Sequence, residues 1–212
     1  PTLATEQAKE LLLELKAIEN EKITSHGKEL LSLPAHPRLA HMLLEGKKSN
    51  QLSLACDIAA ILDERDPMGN QHGSDLSLRC EELMKWRKKE RVLGDRFRYE
   101  RIEQSSRHWR KILDVKVIAT TLDPFVVGRL LAAAYPERIA FRQSGTTYRL
   151  ANGRKAQLPE HDPLTHEEWI VAAHLQMNQK IVKIFMAAPL DKEDVQHLAL
   201  EKTRVSWDTS SG

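Results

Sequence analysis

The sequence predicts an α+β protein in which a bundle of helices is followed by a small all-β unit. Up to Ala134 the apolar residues recur at helical spacing and are punctuated by prolines. After Tyr135-Pro136 they alternate with polar residues, and Ser144-Gly145 and Asn152-Gly153 supply tight strand connections. A third observation bounds the size: 212 residues, 41% of them hydrophobic, suffice for one large core or two small ones.

The elements follow in order. Ala8, Leu11, Leu12, Leu15 and Ile18 form a first helical stripe, and Ile23-Thr24 is short and strand-like. Thr24 is placed to cap the next helix, where Leu30, Leu31 and Leu33 give an apolar side and Pro34 stops the run. His36-Pro37 restarts the chain, and Leu39, Met42, Leu43 and Gly46 predict a helix over 37–47. Further helices are predicted over 52–63, from 75 to about 94, from 96 to about 113 and over 124–134, with Asp75 and Asp123 as N-caps. Between them the 64–74 segment, rich in Gly, Asn and Asp, is expected to be a mobile loop with little to bury. Candidate strands lie near 139–143, 147–151, 156–158, 169–175 and 180–187, which fits a small barrel or sandwich.

No apolar run of about 20 residues and no basic-then-apolar leader is present, so a soluble, cytoplasmic protein without membrane contact is expected. The first residue is Pro1 and the last are Ser210-Ser211-Gly212, which leads us to expect an excised piece. Cys56 and Cys80 fall in helical patterns and are expected to be small buried hydrophobes rather than a disulfide. The nine histidines show no His-Glu-x-x-His spacing and have no Cys-x-x-Cys partner, so no metal site is predicted. A phosphate-cradling loop is missing too: Gly27-Lys28 and Gly46-Lys47 lack the preceding glycine and the following Ser or Thr. Asp63-Glu64-Arg65-Asp66 is the nearest string to an Asp-Glu-x-His box, and there is no Gly-x-Ser-x-Gly elbow. The chain alone is expected neither to hydrolyse ATP nor to catalyse another reaction.

Net charge is only +2, but it is unevenly spread: eleven Lys and Arg face four acids between Lys85 and Lys111. Drawn as one helical wheel from Trp86, this run puts Leu93 and Phe97 on a narrow inward stripe. Arg87, Lys88, Lys89, Arg91, Arg96 and Arg98 then cover the remaining surface. A second basic patch, Arg138, Arg142, Arg149, Arg154 and Lys155, contains no acid and is interleaved with Phe141 and Tyr148. Alternation sets Ile139 and Phe141 opposite Arg142, and Tyr148 and Leu150 opposite Arg149. Arginines on the outer face of a barrel suit phosphate contacts; the competing expectation is an aromatic core with arginines guarding strand edges.

The order helix, short strand, Gly27-containing helix, Leu33-Pro34 and His36-Pro37-Arg38-Leu39-Ala40-His41-Met42-Leu43-Leu44 resembles one junction in DEAH-box RNA helicases. It is the end of the winged-helix domain and the start of the helical ratchet domain. Ala59-Ala60-Ile61-Leu62-Asp63-Glu64-Arg65-Asp66-Pro67, Asp75-Leu76-Ser77-Leu78-Arg79 and Ala134-Tyr135-Pro136-Glu137-Arg138-Ile139-Ala140 narrow the branch. With Tyr148-Arg149-Leu150-Ala151-Asn152-Gly153-Arg154-Lys155-Ala156 and Ala187-Ala188-Pro189-Leu190, these look like the region after the motor in bacterial HrpB-type helicases.

The resemblance implies a winged-helix remnant over 1–34, ratchet-like helices over 35–134 and an OB-like barrel over 135–208. It further implies a parent protein that uses ATP and Mg for 3′-to-5′ movement on RNA, whose upstream motor domains are this region's neighbours. No cofactor is expected in this segment itself. Its expected part is to guide single-stranded RNA, or DNA, through Lys88, Lys89, Arg91, Arg96, Arg142 and Arg149. Arg38 is expected to fix the winged-helix and ratchet junction by an ion pair or cap. The alternative is a protein-interaction module that docks on the motor or an outside partner without touching nucleic acid. A stand-alone winged-helix DNA binder is disfavoured, since the helix over 25–32 offers only Lys28 as a base-reading cation.

Overall fold

The computed structural model describes residues 3–117, 121–178 and 181–198. Helix α1 (Leu3–Glu14) leads into a minimal hairpin, β1 (Ile18–Glu19) and β2 (Lys22–Ile23), whose turn residues Asn20 and Glu21 both take positive φ. Thr24 then caps α2 (Ser25–Leu31) by accepting from the Gly27 amide at 2.9 Å. A Cβ on Gly27 would stand 2.1 Å from the Ala17 carbonyl oxygen, so the hairpin and α2 meet backbone to backbone. α3 (Pro37–Lys48), α4 (Leu52–Asp63), α5 (Leu76–Arg87), α6 (Arg96–Ile112) and α7 (Pro124–Ala134) complete the helical block, and a further helical segment spans 192–198. α4 is buried all round, with Cys56, Ile58, Ala59, Ala60 and Ile61 at 0% exposure, and forms its axis. Burial pushes the Cys56 thiol up to about 12 and holds the Cys80 thiol well above its ordinary range, so both are inert packing groups.

Five strands, β3 (Ile139–Ser144), β4 (Thr147–Leu150), β5 (Lys155–Gln157), β6 (Trp169–Asn178) and β7 (Ile181–Pro189), close a barrel in the order β3-β4-β5-β7-β6. The β5–β7 pair is parallel and the other pairs are antiparallel. Gly145 and Gly153 take positive φ at the first two turns, as the sequence predicts. Tyr148, Leu150, Ala156, Ile170, Ala172 and Ile184 fill the interior. The opposite faces of β6 and β7, including Val171, Ala173, Met186 and Ala188, belong to the helical core. These strands are covered on both sides, which is why Ile170-Val171-Ala172-Ala173 is apolar without alternation.

Three expectations are corrected. The run from Lys85 is not one helix: α5 stops at Arg87, Lys89 takes φ +62° and α6 starts only at Arg96, so no wheel extends across it. Leu93 and Phe97 accordingly point outward, at 42% and 80% exposure. The 64–74 segment is a pinned strap rather than a mobile loop. The fully buried Arg79 binds Asp66 (2.9 and 3.3 Å) and the Gly69 carbonyl (3.2 Å). The Ser74 amide donates to Asp162 at 2.7 Å, and the Ala187 amide donates to the Ser74 carbonyl at 2.8 Å, tying the strap to the barrel. Arg38, finally, does not hold α3 to the preceding hairpin. It pairs with Glu137 at 2.8 Å, donates to the Ala134 carbonyl at 2.7 Å and lies over the Tyr135 ring, locking helices to barrel.

Candidate nucleic-acid interface

The basic run divides into a buried part and an exposed part. Asp57 on α4 receives Arg87 through two bonds (2.7 and 2.5 Å), Arg110 at 3.0 Å and the Ser106 hydroxyl. Glu103 on α6 receives Arg87 (2.6 Å), Arg107 (2.8 Å) and Arg110 (2.9 Å). The buried arginines are thus neutralised by two buried carboxylates and fix α4, α5 and α6 together. Burial raises the Glu103 carboxyl, but the bonds from Arg87 and Arg107 outweigh it and hold the group below its ordinary range. Arg98 is also engaged, donating to the Asp66 carbonyl at 2.6 Å.

Besides Lys111 in the last turn of α6, what remains is the connection between α5 and α6. Lys88, Lys89, Arg91 and Arg96 are all exposed, and among the described residues none makes an ion pair or side-chain hydrogen bond. The backbone carrying them is anchored. The Leu93 amide donates to Glu82 at 2.6 Å, the Asp95 amide donates to the Pro67 carbonyl at 2.9 Å, and Asp95 caps α6 at the Phe97 amide. Gly94, at φ +83°, passes so close to Pro67 that a Cβ would lie 2.2 Å from its carbonyl oxygen. Four unneutralised cations therefore stand on a short, fixed ridge.

The barrel arginines separate. Strand pairing puts Arg142 beside Tyr148, on the side of β3 that carries the interior residues, and puts Phe141 beside Arg149 and Trp169 on the outer side. Arg142 is half-buried and donates to the Thr165 carbonyl at 2.9 Å, which corrects its expected place on the outer face. Tyr148 is barrel core, its hydroxyl between the Leu164 and Glu167 carbonyls, whereas Phe141 packs outside against Trp169, ring centroids 4.7 Å apart and planes tilted by 50°. Arg149 is exposed, with Lys155 as its cross-strand neighbour.

Lys88 and Arg149 lie at opposite ends of a trough made of three adjoining cavities. The first, of about 290 Å³, includes Asn50, Asp57, Lys88 and Val126. The second, of about 560 Å³, shares Gln51 and Val126 with it and adds Lys48, His41 and Arg129. The third, of about 400 Å³, shares Lys16, His41 and Leu198 and reaches Arg149 and Trp169. Lys48 is paired with Glu45 and Arg129 with Asp194, so along the trough the positive field is weak. Lys89, Arg91 and Arg96 line none of these three cavities. Of the six residues expected from sequence, four share the ridge, Arg149 stands at the far end of the trough, and Arg142 joins neither. Lys16, Lys48 and Arg129 escaped sequence reasoning, since only folding brings positions so far apart into one groove.

The middle of the trough also holds a histidine pair, His26 Nε2 and His41 Nδ1, 2.7 Å apart. One ring donates and the other accepts, so the accepting nitrogen must be unprotonated and the pair cannot carry two charges. Burial pulls the His41 imidazole down to about 4 and lowers His26 as well; Lys48 and Lys16 add to this, and Glu45 opposes it. The unfolded chain therefore takes up a proton that the folded chain refuses. Stability is full above about pH 6.5 and is lost as pH falls toward 4, by about 2 kcal/mol at pH 5. Urea unfolding at pH 7 and pH 5 should show this decline, and His41→Gln should remove most of it.

No family model matches the sequence. The chain is 32% identical to the ATP-dependent RNA helicase HrpB of Escherichia coli strain K12, over 97% of this chain and 24% of that protein. Two solved structures agree with it along the fold. The E. coli DExH-box NTPase HrpB matches at a TM-score of 0.75 and 30% identity, over 95% of this chain and 23% of that one. The E. coli DEAH/RHA helicase HrpB matches at 0.73 and 31%, over 91% and 22%. The chain corresponds to an HrpB-type segment. It spans about a quarter of the length of HrpB. The motifs behind the HrpB resemblance are framework: Asp66 and Arg79 pin the strap, while Tyr135, Glu137 and Arg138 gather around Arg38 at the seam between helices and barrel.

Proposed function

We propose that this chain is the non-motor accessory region of an HrpB-type ATP-dependent RNA helicase and that it guides a single strand for ATP-driven 3′-to-5′ movement. On this reading 1–34 is the end of a winged-helix domain, 35–134 the ratchet-like helices and 135–208 an OB-like barrel. ATP and Mg act in motor domains elsewhere in the parent protein, which are its neighbours, and the parent is cytoplasmic.

The observation that carries the reading is the ridge: Lys88, Lys89, Arg91 and Arg96 are exposed and unpaired, while the other arginines of the same run are neutralised. Unpaired cations on a fixed backbone suit phosphates, which give affinity without reading sequence. Lys88 also opens into the trough toward Arg149, a route from helices to barrel. Titration of single-stranded RNA into the chain at several salt concentrations tests this. Binding at low salt that falls steeply as salt rises is expected; absence of binding at low salt removes the role.

A further inference from the structure

Phe97 is 80% exposed, an unusual position for a large apolar ring at the start of a well-formed helix. It is held there. The Phe97 amide donates to Asp95 Oδ1 at 2.9 Å, the Asp95 amide is tied to Pro67, and the adjacent Arg98 reaches the Asp66 carbonyl. The ring thus stands proud of the surface beside Arg96, on the segment that also carries Lys88, Lys89 and Arg91. An apolar protein partner would cover Phe97 and Leu93 but leave four cations without counter-charges. An unpaired polynucleotide offers both things this surface lacks, phosphates for the cations and flat base faces for the ring.

We propose that Phe97 is a base-stacking residue: its ring receives the face of one nucleobase of a single strand whose phosphates lie against Lys88, Lys89, Arg91 and Arg96. The contact tolerates any sequence, because every base has a π-face, and it selects unpaired strand, because duplex bases are already stacked. It rests on the strand-guiding reading above and specifies which group touches the bases.

The test is titration of the chain with a single-stranded oligonucleotide and with an abasic strand of the same length, at one low salt concentration. The base-bearing strand is expected to bind roughly tenfold more tightly. Phe97→Ala should abolish that ratio and leave abasic affinity unchanged, and Phe97→Trp should keep it. Equal binding of both strands by the unaltered chain overturns stacking while the phosphate role stands. Full retention of the ratio in Phe97→Leu overturns it too, since an aliphatic side chain has no ring to stack. Failure of both strands to bind overturns this proposal and the strand-guiding reading together.

Discussion

Replacing Asp57 by alanine is expected to destabilise the protein by about 3–5 kcal/mol, because it strands buried charge. Asp57 is 6% exposed and Glu103 4%; between them they neutralise Arg87 and Arg110, whose side chains are 16% and 6% exposed. Without Asp57, Arg87 and Arg110 are left with Glu103 alone, a carboxylate that Arg107 also uses, in a water-poor site. A guanidinium does not relieve the cost by losing its proton; burial opposes the charge on Arg87, but its bonds to Asp57 and Glu103 raise its pKa. Arg107→Ala is the control: it bonds the same Glu103 from a side chain 71% exposed, and its loss should cost about 1 kcal/mol or less. Urea unfolding should show a large midpoint shift for the first and a small one for the second. Similar shifts would mean that the network is not the brace between α4, α5 and α6.

The second large effect is expected at Gly128, where α7 crosses the end of β7. A Cβ there would stand 1.8 Å from the Pro189 carbonyl oxygen and 2.9 Å from its carbon, a collision with backbone rather than with a movable side chain. Gly128→Ala must push the helix off the barrel or bend it, at a cost of about 3 kcal/mol, even though alanine is the better helix former. The same seam holds Arg38, Glu137, and Arg138 against the Tyr135 ring, so their contacts should loosen with it. Thermal unfolding of Gly128→Ala should show a markedly lower midpoint, whereas a midpoint at or above that of the unaltered chain would show that the close approach is dispensable.

Local signals in the sequence translated well into structure. Thr24, Asp75 and Asp123 each accept from an amide two or three residues on, Pro37 and Pro124 sit in first helical turns, and Gly145 and Gly153 make the strand turns. Errors arose where tertiary partners decide. The apolar spacing of Leu93 and Phe97 looked helical only because the break at Lys88 to Asp95 has no proline to announce it. The strap looked free because its partners, Arg79 and Asp162, lie elsewhere in the chain. Charge counting located the ridge but could not tell Arg87, which is half-buried and paired, from Lys88 beside it, which is neither. That distinction needed Asp57, thirty residues upstream on another helix.

If four ridge cations hold the phosphates of a single strand, binding must weaken with salt in proportion to them. Single-stranded RNA should be titrated at several salt concentrations into the unaltered chain and into a variant with Lys88, Lys89, Arg91 and Arg96 replaced by alanine. At about 0.7 per phosphate contact on a single strand, the slope of log affinity against log salt should become shallower by about 3, with unfolding unchanged within about 0.5 kcal/mol. An unchanged slope in a folded variant would contradict the account.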